Sequence, residues 1–256
     1  MLPAQRLQNI LEDIKSNGVR AVTELSQKYD VSEMTIRRDL KQLEDQGLIT
    51  RTHGGALPNR LVSEELQFLQ KQSVHEAEKV QIARYAAENF VQDNDIIIME
   101  GGTTIAGMVP HLSTYRNLTV MTNGLHTLFE LQRITSGNTI ISTGGILRDV
   151  STTLVGPTAE NHFREFNAAR VFLSATGWTA NAGFTDPSML EIQVKKAMIQ
   201  SARQIVMLID SSKFNVVSLT HFLDAFAVDV LITDKNIPQD IHHQFAEHQV
   251  EVHIAT

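Results

Sequence analysis

Seven short apolar runs recur through the chain after its first ninety or so residues, at 96–99, 118–122, 139–143, 170–175, 204–209, 228–233 and 250–254. Each is too short for a helix and too continuous for a strand with one wet face, which is the pattern of strands buried on both sides. Helical periodicity fills most of the intervals, at 125–132, 189–202 and 239–248. Parallel strands need crossovers of about a dozen residues, usually helices. This alternation therefore restricts the region to a largely parallel α/β sheet with helices on both faces. In such sheets ligands bind at the loops that leave the C-terminal ends of the strands.

Three of those loops carry glycine. The first run ends in Glu100-Gly101-Gly102-Thr103-Thr104, the second in Asn123-Gly124 and the third in Gly144-Gly145. Glycine lets the backbone approach a ligand, threonine hydroxyls donate hydrogen bonds, and the free amides of a helix beginning there attract an anion. A single glycine pair usually marks only a turn. Three after successive strands argue for a phosphate or sugar site built from Glu100, Gly102, Thr103, Thr104, Asn123, Gly124, Gly144 and Gly145. Lys213, in Asp210-Ser211-Ser212-Lys213-Phe214 just past another run, can neutralise a phosphate as a point charge. Lys195 lies four residues after Glu191 and reads either as half of a surface pair or as a second cation of the site. Trp178, the only tryptophan, reads equally as a cover for the ligand or as packing.

The first sixty residues differ. They carry nine Lys and Arg against eight Asp and Glu, whereas the rest carries thirteen against twenty-one, so the net charge of −7 says little about an anionic partner. Leu7, Ile10, Leu11 and Ile14 share one helix face, with Asn17-Gly18 as its stop. Leu25 and Tyr29 mark a second, shorter helix. Ser32 caps a third, Glu33 sits in its first turn, and Gly47 closes it. On a helical wheel Ile36, Leu40 and Leu43 form the buried stripe of that third helix. Met34, Thr35, Arg38, Lys41 and Gln42 cluster opposite, Arg37 lies at their edge, and Glu33, Asp39 and Glu44 occupy the flanks. Taken alone this is a solvated helix surface. The tight 29–31 connection to the preceding helix makes it a helix-turn-helix whose outer face suits the major groove of DNA. The strand expected at 48–51 and Thr52-His53-Gly54-Gly55-Ala56 form a β-wing with donors for a phosphate backbone. The expected DNA contacts are Ser32, Met34, Thr35, Arg37, Arg38, Lys41, Arg51, His53 and Gly54.

These patterns divide the chain into a DNA-binding unit at 1–58, a connection at 59–74 and a larger unit at 75–256. The stretch 61–73 is polar with scattered leucines; it reads as a linker or as an amphipathic segment docked on a neighbour, a partly ordered hinge being favoured. The helix at 75–92 is expected to turn Val80, Ala83, Ala87 and Phe90 inward. The chain has no cysteine, so it offers no disulfide, thiolate ligand or thiol nucleophile. His242, His243 and His248 are not supported by an acidic cluster and adjacent histidines diverge on a helix, so neither a metal nor a cofactor is expected. No G-x-S-x-G elbow suggests a hydrolase. The N-terminal stretch lacks the apolar run of a signal peptide and no segment reaches membrane-spanning length, so a cytoplasmic protein is expected.

The stretch VSEMTIRRDLKQLEDQGLITRTHGGA resembles the winged helix-turn-helix of the DeoR family of bacterial transcriptional regulators. EGGTT, TNGL, STGG, LVGP, GFTDPSMLEIQVKKAMI and DSSKF, in that order, resemble the same family's effector domain. That domain belongs with sugar-phosphate isomerases of the ribose-5-phosphate isomerase and glucosamine-6-phosphate deaminase type. The resemblance implies an oligomeric regulator, a dimer or tetramer, that represses a carbohydrate operon and responds to a phosphorylated sugar; the sequence leaves an activator open. Glu100-Gly101 stands where the family more often has Asp followed by Ser or Gly, and Gly124 where Ser or Asn is common, so the sugar is left unnamed. The competing reading is an isomerase or deaminase with a DNA-binding head, for which Glu100, Asp186 and Glu191 are available carboxylates. It is disfavoured because the isomerases' acidic and lysine segments are missing.

Overall fold

The computed structural model describes residues 3–17, 20–45, 48–52, 54–58, 60–62, 65–134 and 137–256. Helix α1 (Pro3–Asn17), strand β1 (Arg20–Ala21), helices α2 (Val22–Tyr29) and α3 (Glu33–Asp45), and strands β2 (Ile49–Thr52) and β3 (Gly55–Pro58) make the N-terminal unit. β3 lies between β1 and β2 and is antiparallel to both. Gly55 is needed where β1 crosses, since a Cβ there would fall 2.1 Å from the Arg20 carbonyl oxygen. Ile10 and Ile14 of α1, Leu25 of α2, Ile36, Leu40 and Leu43 of α3, and Ile49 of the wing close one small core. Asp30, left-handed at φ 50°, ends α2 and turns the chain toward α3. Ser32 Oγ then accepts from the Thr35 amide at 3.2 Å, the capping contact its position implies. Gly18 and Gly47, expected as helix stops, lie outside the described residues. One flank assignment changes: Asp39 is buried and takes Arg6 Nε of α1 at 2.6 Å. A wheel separates apolar from polar but does not say which polar flank a neighbouring helix covers.

After the wing come strand β4 (Arg60–Val62) and helices α4 (Phe68–Ser73) and α5 (Glu76–Phe90). The remaining chain runs β5 (Ile96–Met99), α6 (Thr103–Ala106), β6 (Thr119–Thr122), α7 (Leu125–Ile134), β7 (Thr139–Ser142), the hairpin β8 (Ile146–Arg148) and β9 (Thr153–Val155), and α8 (Pro157–Arg164). It continues with β10 (Ala168–Leu173), the hairpin β11 (Gly177–Thr179) and β12 (Gly183–Asp186), α9 (Met189–Gln200), β13 (Ala202–Leu208), β14 (Val216–Ser218), β15 (Thr220–Leu223), β16 (Val230–Asp234), α10 (Gln239–Glu247) and β17 (Glu251–Ala255).

All seven expected runs are strands of one parallel sheet, in the order β17-β16-β13-β10-β5-β6-β7. Side chains alternate between its faces and the inner strands are buried on both, which is why their runs are continuous, whereas the edge strand β7 has no fully buried residue. Val171, Leu173 and Met207 join Phe163, Ile192 and Phe245 on one side. Phe172, Val206 and Leu208 join Ile82, Ala83 and Ala86 of α5 on the other.

Helix α5 turns Ala83 and Ala87 inward and packs Phe90 on the core as expected, but Val80 does not face in. Its buried residues are Lys79, Ile82, Ala83, Ala86 and Ala87, while Val80 is 51% exposed. Trp178 is packing: it is 1% exposed, lies against Phe214 and Phe245, and donates from Nε1 to the Ala225 carbonyl at 2.9 Å. The segment expected as a hinge is laid on the larger unit. β4 pairs in parallel with β14, Phe68 of α4 is buried, and its amide donates to the Val150 carbonyl at 2.9 Å. No helix among the described residues is long and apolar enough to cross a membrane.

Candidate functional site

The outer face of α3 stands clear of the core. Ser32, Met34, Arg37, Arg38 and Lys41 are exposed and Thr35 half-buried, while Ile36, Leu40 and Leu43 point the other way. Met34 is 77% exposed, unusual for so apolar a side chain and suited to contact with thymine methyl groups. Arg37 lies 3.7 Å from Glu33 one turn back, an exposed pair that constrains it little. Arg51 is half-buried and held by Glu44, its Nε 3.0 Å from one carboxylate oxygen and its amide donating to the other at 3.2 Å. It therefore rivets the wing to α3, a role that strand reasoning missed. Gly54 is exposed at the wing's tip; His53 lies outside the described residues.

The second constellation gathers beyond the C-terminal ends of β5 and β10. Lys195 of α9 is 4% exposed and turns inward. Its Nζ donates to the Asp186 carboxylate and to the Ser174 carbonyl at 2.7 Å, and lies 3.5 Å from Glu100 Oε1. Ser174 Oγ donates to Glu100 Oε2 at 2.9 Å, and the Thr176 amide and hydroxyl donate to Asp186 Oδ1 at 2.9 and 2.7 Å. Burial alone would push the Asp186 carboxyl up, but Lys195 and Lys71 hold it below the usual carboxylate range. Burial likewise works against the Lys195 ammonium, yet Asp186 and Glu100 raise it above the usual lysine range. The surface pair with Glu191 does not form. Glu191 instead accepts from Thr153 Oγ1 at 2.8 Å and lies 3.6 Å from Arg148.

The glycine loops divide between lining and support. Gly102 and Thr103 line the space next to Glu100 and Lys195. A Cβ on Gly102 would fall 2.6 Å from Glu100 Oε2, so that carboxylate lies directly against the loop. Because α6 is a single turn of four residues and a carboxylate already sits beside it, little field remains there to attract an anion. Thr104 is buried within that turn. Asn123 accepts from the Gly101 amide and donates to the Leu154 carbonyl, each at 3.1 Å, and so fixes the loop from behind. Gly124 packs on Gly101, where a Cβ would come within 2.7 Å of its Cα. Gly144 and Gly145, at φ 65° and 112°, make an exposed turn into β8 and do not line the space.

Two adjoining cavities result. The inner one, among Glu100, Gly102, Thr103, Asp186, Glu191 and Lys195, leaves about 20 Å³, room for about one water. The outer one, about 220 Å³, is lined by Lys71, His75, Thr176, Pro187, Ser212, Lys213 and Val216 among others. Glu65 and Lys71, from the segment between the two units, line both. Glu65 is held by Arg148 of β8 in a two-pronged pair with both contacts at 2.5 Å. Behind the outer cavity Lys79 donates to the Lys71 carbonyl; burial first, then Lys213 and Lys71, lower its pKa to about 8. Lys213 itself lies 3.8 Å from Asp210. Sequence reasoning missed Glu65, Lys71, His75, Lys79 and Arg148, since isolated charges in a polar stretch carry no periodicity. The one usable signal was the scattered leucines at 61–73, which already admitted a docked segment. Among the described residues no three His, Asp or Glu side chains converge as a metal site needs.

The sequence model of the DeoR C-terminal sensor domain matches residues 74–235, and that of the DeoR-like helix-turn-helix domain matches 6–60. The HTH-type transcriptional regulator GolR of Listeria innocua is 33% identical over 255 residues, covering 100% of both chains. The HTH-type transcriptional regulator GlpR of Haloferax volcanii is 32% identical over 252 residues, covering 98% of each. The transcriptional repressor AccR of Agrobacterium fabrum is 30% identical over 248 residues, covering 94% of this chain and 95% of that one. A solved ribose 5-phosphate isomerase from Plasmodium falciparum superimposes with a TM-score of 0.39 at 13% identity over 53% of this chain and 52% of its own, too loosely to carry weight.

Proposed function

Because the chain belongs to the DeoR family of transcriptional regulators, we propose that it represses a carbohydrate catabolic operon and is released from its operator by a phosphorylated sugar. In this reading residues 1–58 grip DNA, 59–74 connect, and 75–256 sense the ligand. The observation that carries the DNA half is the outward cationic face of α3 beside a wing, opposite its own packed stripe. Arg38 and Lys41 with Met34 and Thr35 face base edges, and Arg37 takes phosphate. A dimer or tetramer sets two such helices about 34 Å apart, one turn of DNA. The repressor named among its relatives supports that sign of regulation. An operator-bound protein works where the chromosome is, in the cytoplasm.

The ligand half rests on the paired cavities. The carboxylates of Glu100, Asp186 and Glu191 suit sugar hydroxyls, which donate to them. The phosphate belongs at the outer wall, where Lys71 and Lys213 supply charge, rather than at the loop occupied by Glu100. The Lys195 and Asp186 pKa values are driven away from neutrality, which suits fixed charges and not a proton-transferring base. That favours a sensor over an isomerase. A gel shift of the purified protein on its own upstream DNA at physiological salt should show binding at least a thousandfold tighter than to random DNA. Sugar phosphates added one at a time should release it. Binding no tighter than to random DNA overturns the first half; release by none of a broad panel, with no turnover either, overturns the second.

A further inference from the structure

The inner cavity is too small for a sugar because the protein fills it with its own charges. Four carboxylates, Glu65, Glu100, Asp186 and Glu191, meet Lys71, Lys195 and Arg148 there. Three of the four acids come from the sensor's framework, on β12, α9 and the loop after β5. Glu65 comes from the connection, three residues beyond β4 and seven beyond the end of the wing hairpin. It is also the acid held by the most specific geometry, a planar fork of two hydrogen bonds from Arg148, the arrangement by which arginine recognises a carboxylate or phosphate. Ser151 and Glu191 also meet that guanidinium, both at Nη1, at 3.3 and 3.6 Å. Both partners are roughly four-fifths buried, so the pair is poorly screened.

We propose that Arg148 is an anion-binding residue of the effector site, that Glu65 is its tethered occupant, and that the ligand's phosphate takes Glu65's place. This rests on the sugar-phosphate reading above. The exchange is one anion for another, so Arg148 is never left as an unpaired buried charge, which would be costly. The arriving phosphate stands between Arg148 and the Lys71–Lys213 wall. Moving Glu65 opens part of the wall that it forms with Leu66 and Lys71 between the two cavities and enlarges the inner one toward the outer. It also removes one fastening of the chain between wing and sensor, leaving that segment held by β4 on β14 and by Phe68. Glu65 is thus both a gate that keeps weak anions out and the handle through which ligand binding reaches the DNA-binding unit. Tethering gives it a high effective concentration, so only a ligand with several further contacts competes.

The test uses the full chain with Glu65→Gln, Arg148→Gln and the charge-conserving Arg148→Lys, with inorganic phosphate, acetate and glucose 6-phosphate as probes. Amide exchange across 65–73 should quicken without ligand in all three variants, and in wild type only when phosphate or glucose 6-phosphate is added. Calorimetry should give a phosphate Kd at least tenfold tighter for Glu65→Gln than for wild type, and at least tenfold weaker for Arg148→Gln. Arg148→Lys, which keeps the charge and loses the fork, should fall between these limits and guards against misfolding of the glutamine variant. Acetate should bind Glu65→Gln more weakly than phosphate; the reverse order means that the site takes a sugar acid, and the phosphate exchange is wrong. A Glu65→Gln protein that binds phosphate no tighter overturns the proposal. So does phosphate binding to wild type with 65–73 unchanged, an outcome that leaves the sensor reading standing. If no probe binds any of the four proteins while operator DNA is still gripped, both readings fall.

Discussion

Lys195 keeps a full charge with 4% of its surface exposed, and it does so because Asp186, Glu100 and the Ser174 carbonyl enclose it. Removing one partner of such a pair strands the other. Lys195→Met is therefore expected to destabilise the fold by about 3–5 kcal/mol in urea unfolding, and pairing it with Asp186→Asn should recover part of that loss. A double variant no better than the worse single one would mean that the two charges do not depend on each other. Lys79 runs the opposite way: its pKa of about 8 lies below the usual 10.5, so folding at neutral pH holds a charge that burial and Lys213 oppose. Between those two values the unfolded chain binds more protons than the folded one, and this group's contribution to stability rises with pH. The unfolding free energy of wild type relative to Lys79→Met should therefore climb from pH 7.5 to pH 10; a flat difference would mean that Lys79 is solvated. Side chains of this kind were the least legible in the sequence. The direction in which Arg38 and Lys41 point follows from helical spacing alone. Lys195 sits at the spacing of a surface pair, and only the way β12 folds back beside α9 decides that it turns to Asp186, nine residues earlier, instead. Lys79 and Val80 are neighbours on α5, and a wheel built on small alanines could not tell which of them faces in.

At the scale of elements, α3 has an end, a stripe and a ridge that can be tested separately. Ser32→Ala removes the acceptor for the Thr35 amide and should cost about 1 kcal/mol of stability. Replacing both Arg37 and Arg38 by Ala should leave that stability nearly unchanged, since both are exposed, while weakening operator binding. Every phosphate that the protein no longer neutralises lowers the slope of log affinity against log salt by about 0.9, so a slope unaltered by the double change would show that neither arginine touches phosphate. Elements with strong local signals were the ones read correctly. The inner strands of the parallel sheet are apolar on both faces and so stand out as runs, and the intervals between the runs were legible as helices even where, as in α5, the buried face was so only in part. The hairpins β8–β9 and β11–β12 have strands of three or four residues, too few to show alternation, and α8 is an eight-residue helix announced only by Gly156-Pro157. The connection was hardest, because β4 exists only through its pairing with β14, more than a hundred residues away.

Across the whole molecule, the DNA-binding unit is tied to the sensor both through the connection and directly. Besides β4 on β14 and Glu65 on Arg148, Asn181, in the loop between β11 and β12, donates to the Glu44 carbonyl at the end of α3 at 2.5 Å. Glu44 is the residue whose side chain holds Arg51 of the wing, so a shift at that loop reaches both the helix and the wing. If a sugar phosphate loosens the grip on DNA through these contacts, the coupling must run both ways, because affinity changes in a closed cycle are reciprocal. The factor by which saturating ligand weakens operator binding, within the usual range of about 5–150, should equal the factor by which saturating operator weakens ligand binding. Measuring both on one preparation, by gel shift and by calorimetry, tests the route as well as the fact. Asn181→Ala should shrink the two factors equally while leaving ligand affinity without DNA as it was, since Asn181 lies outside both cavities. Factors that stay at their wild-type value would mean that the signal travels through the connection alone, and ligand affinity indifferent to operator would mean that sensor and DNA-binding unit act independently.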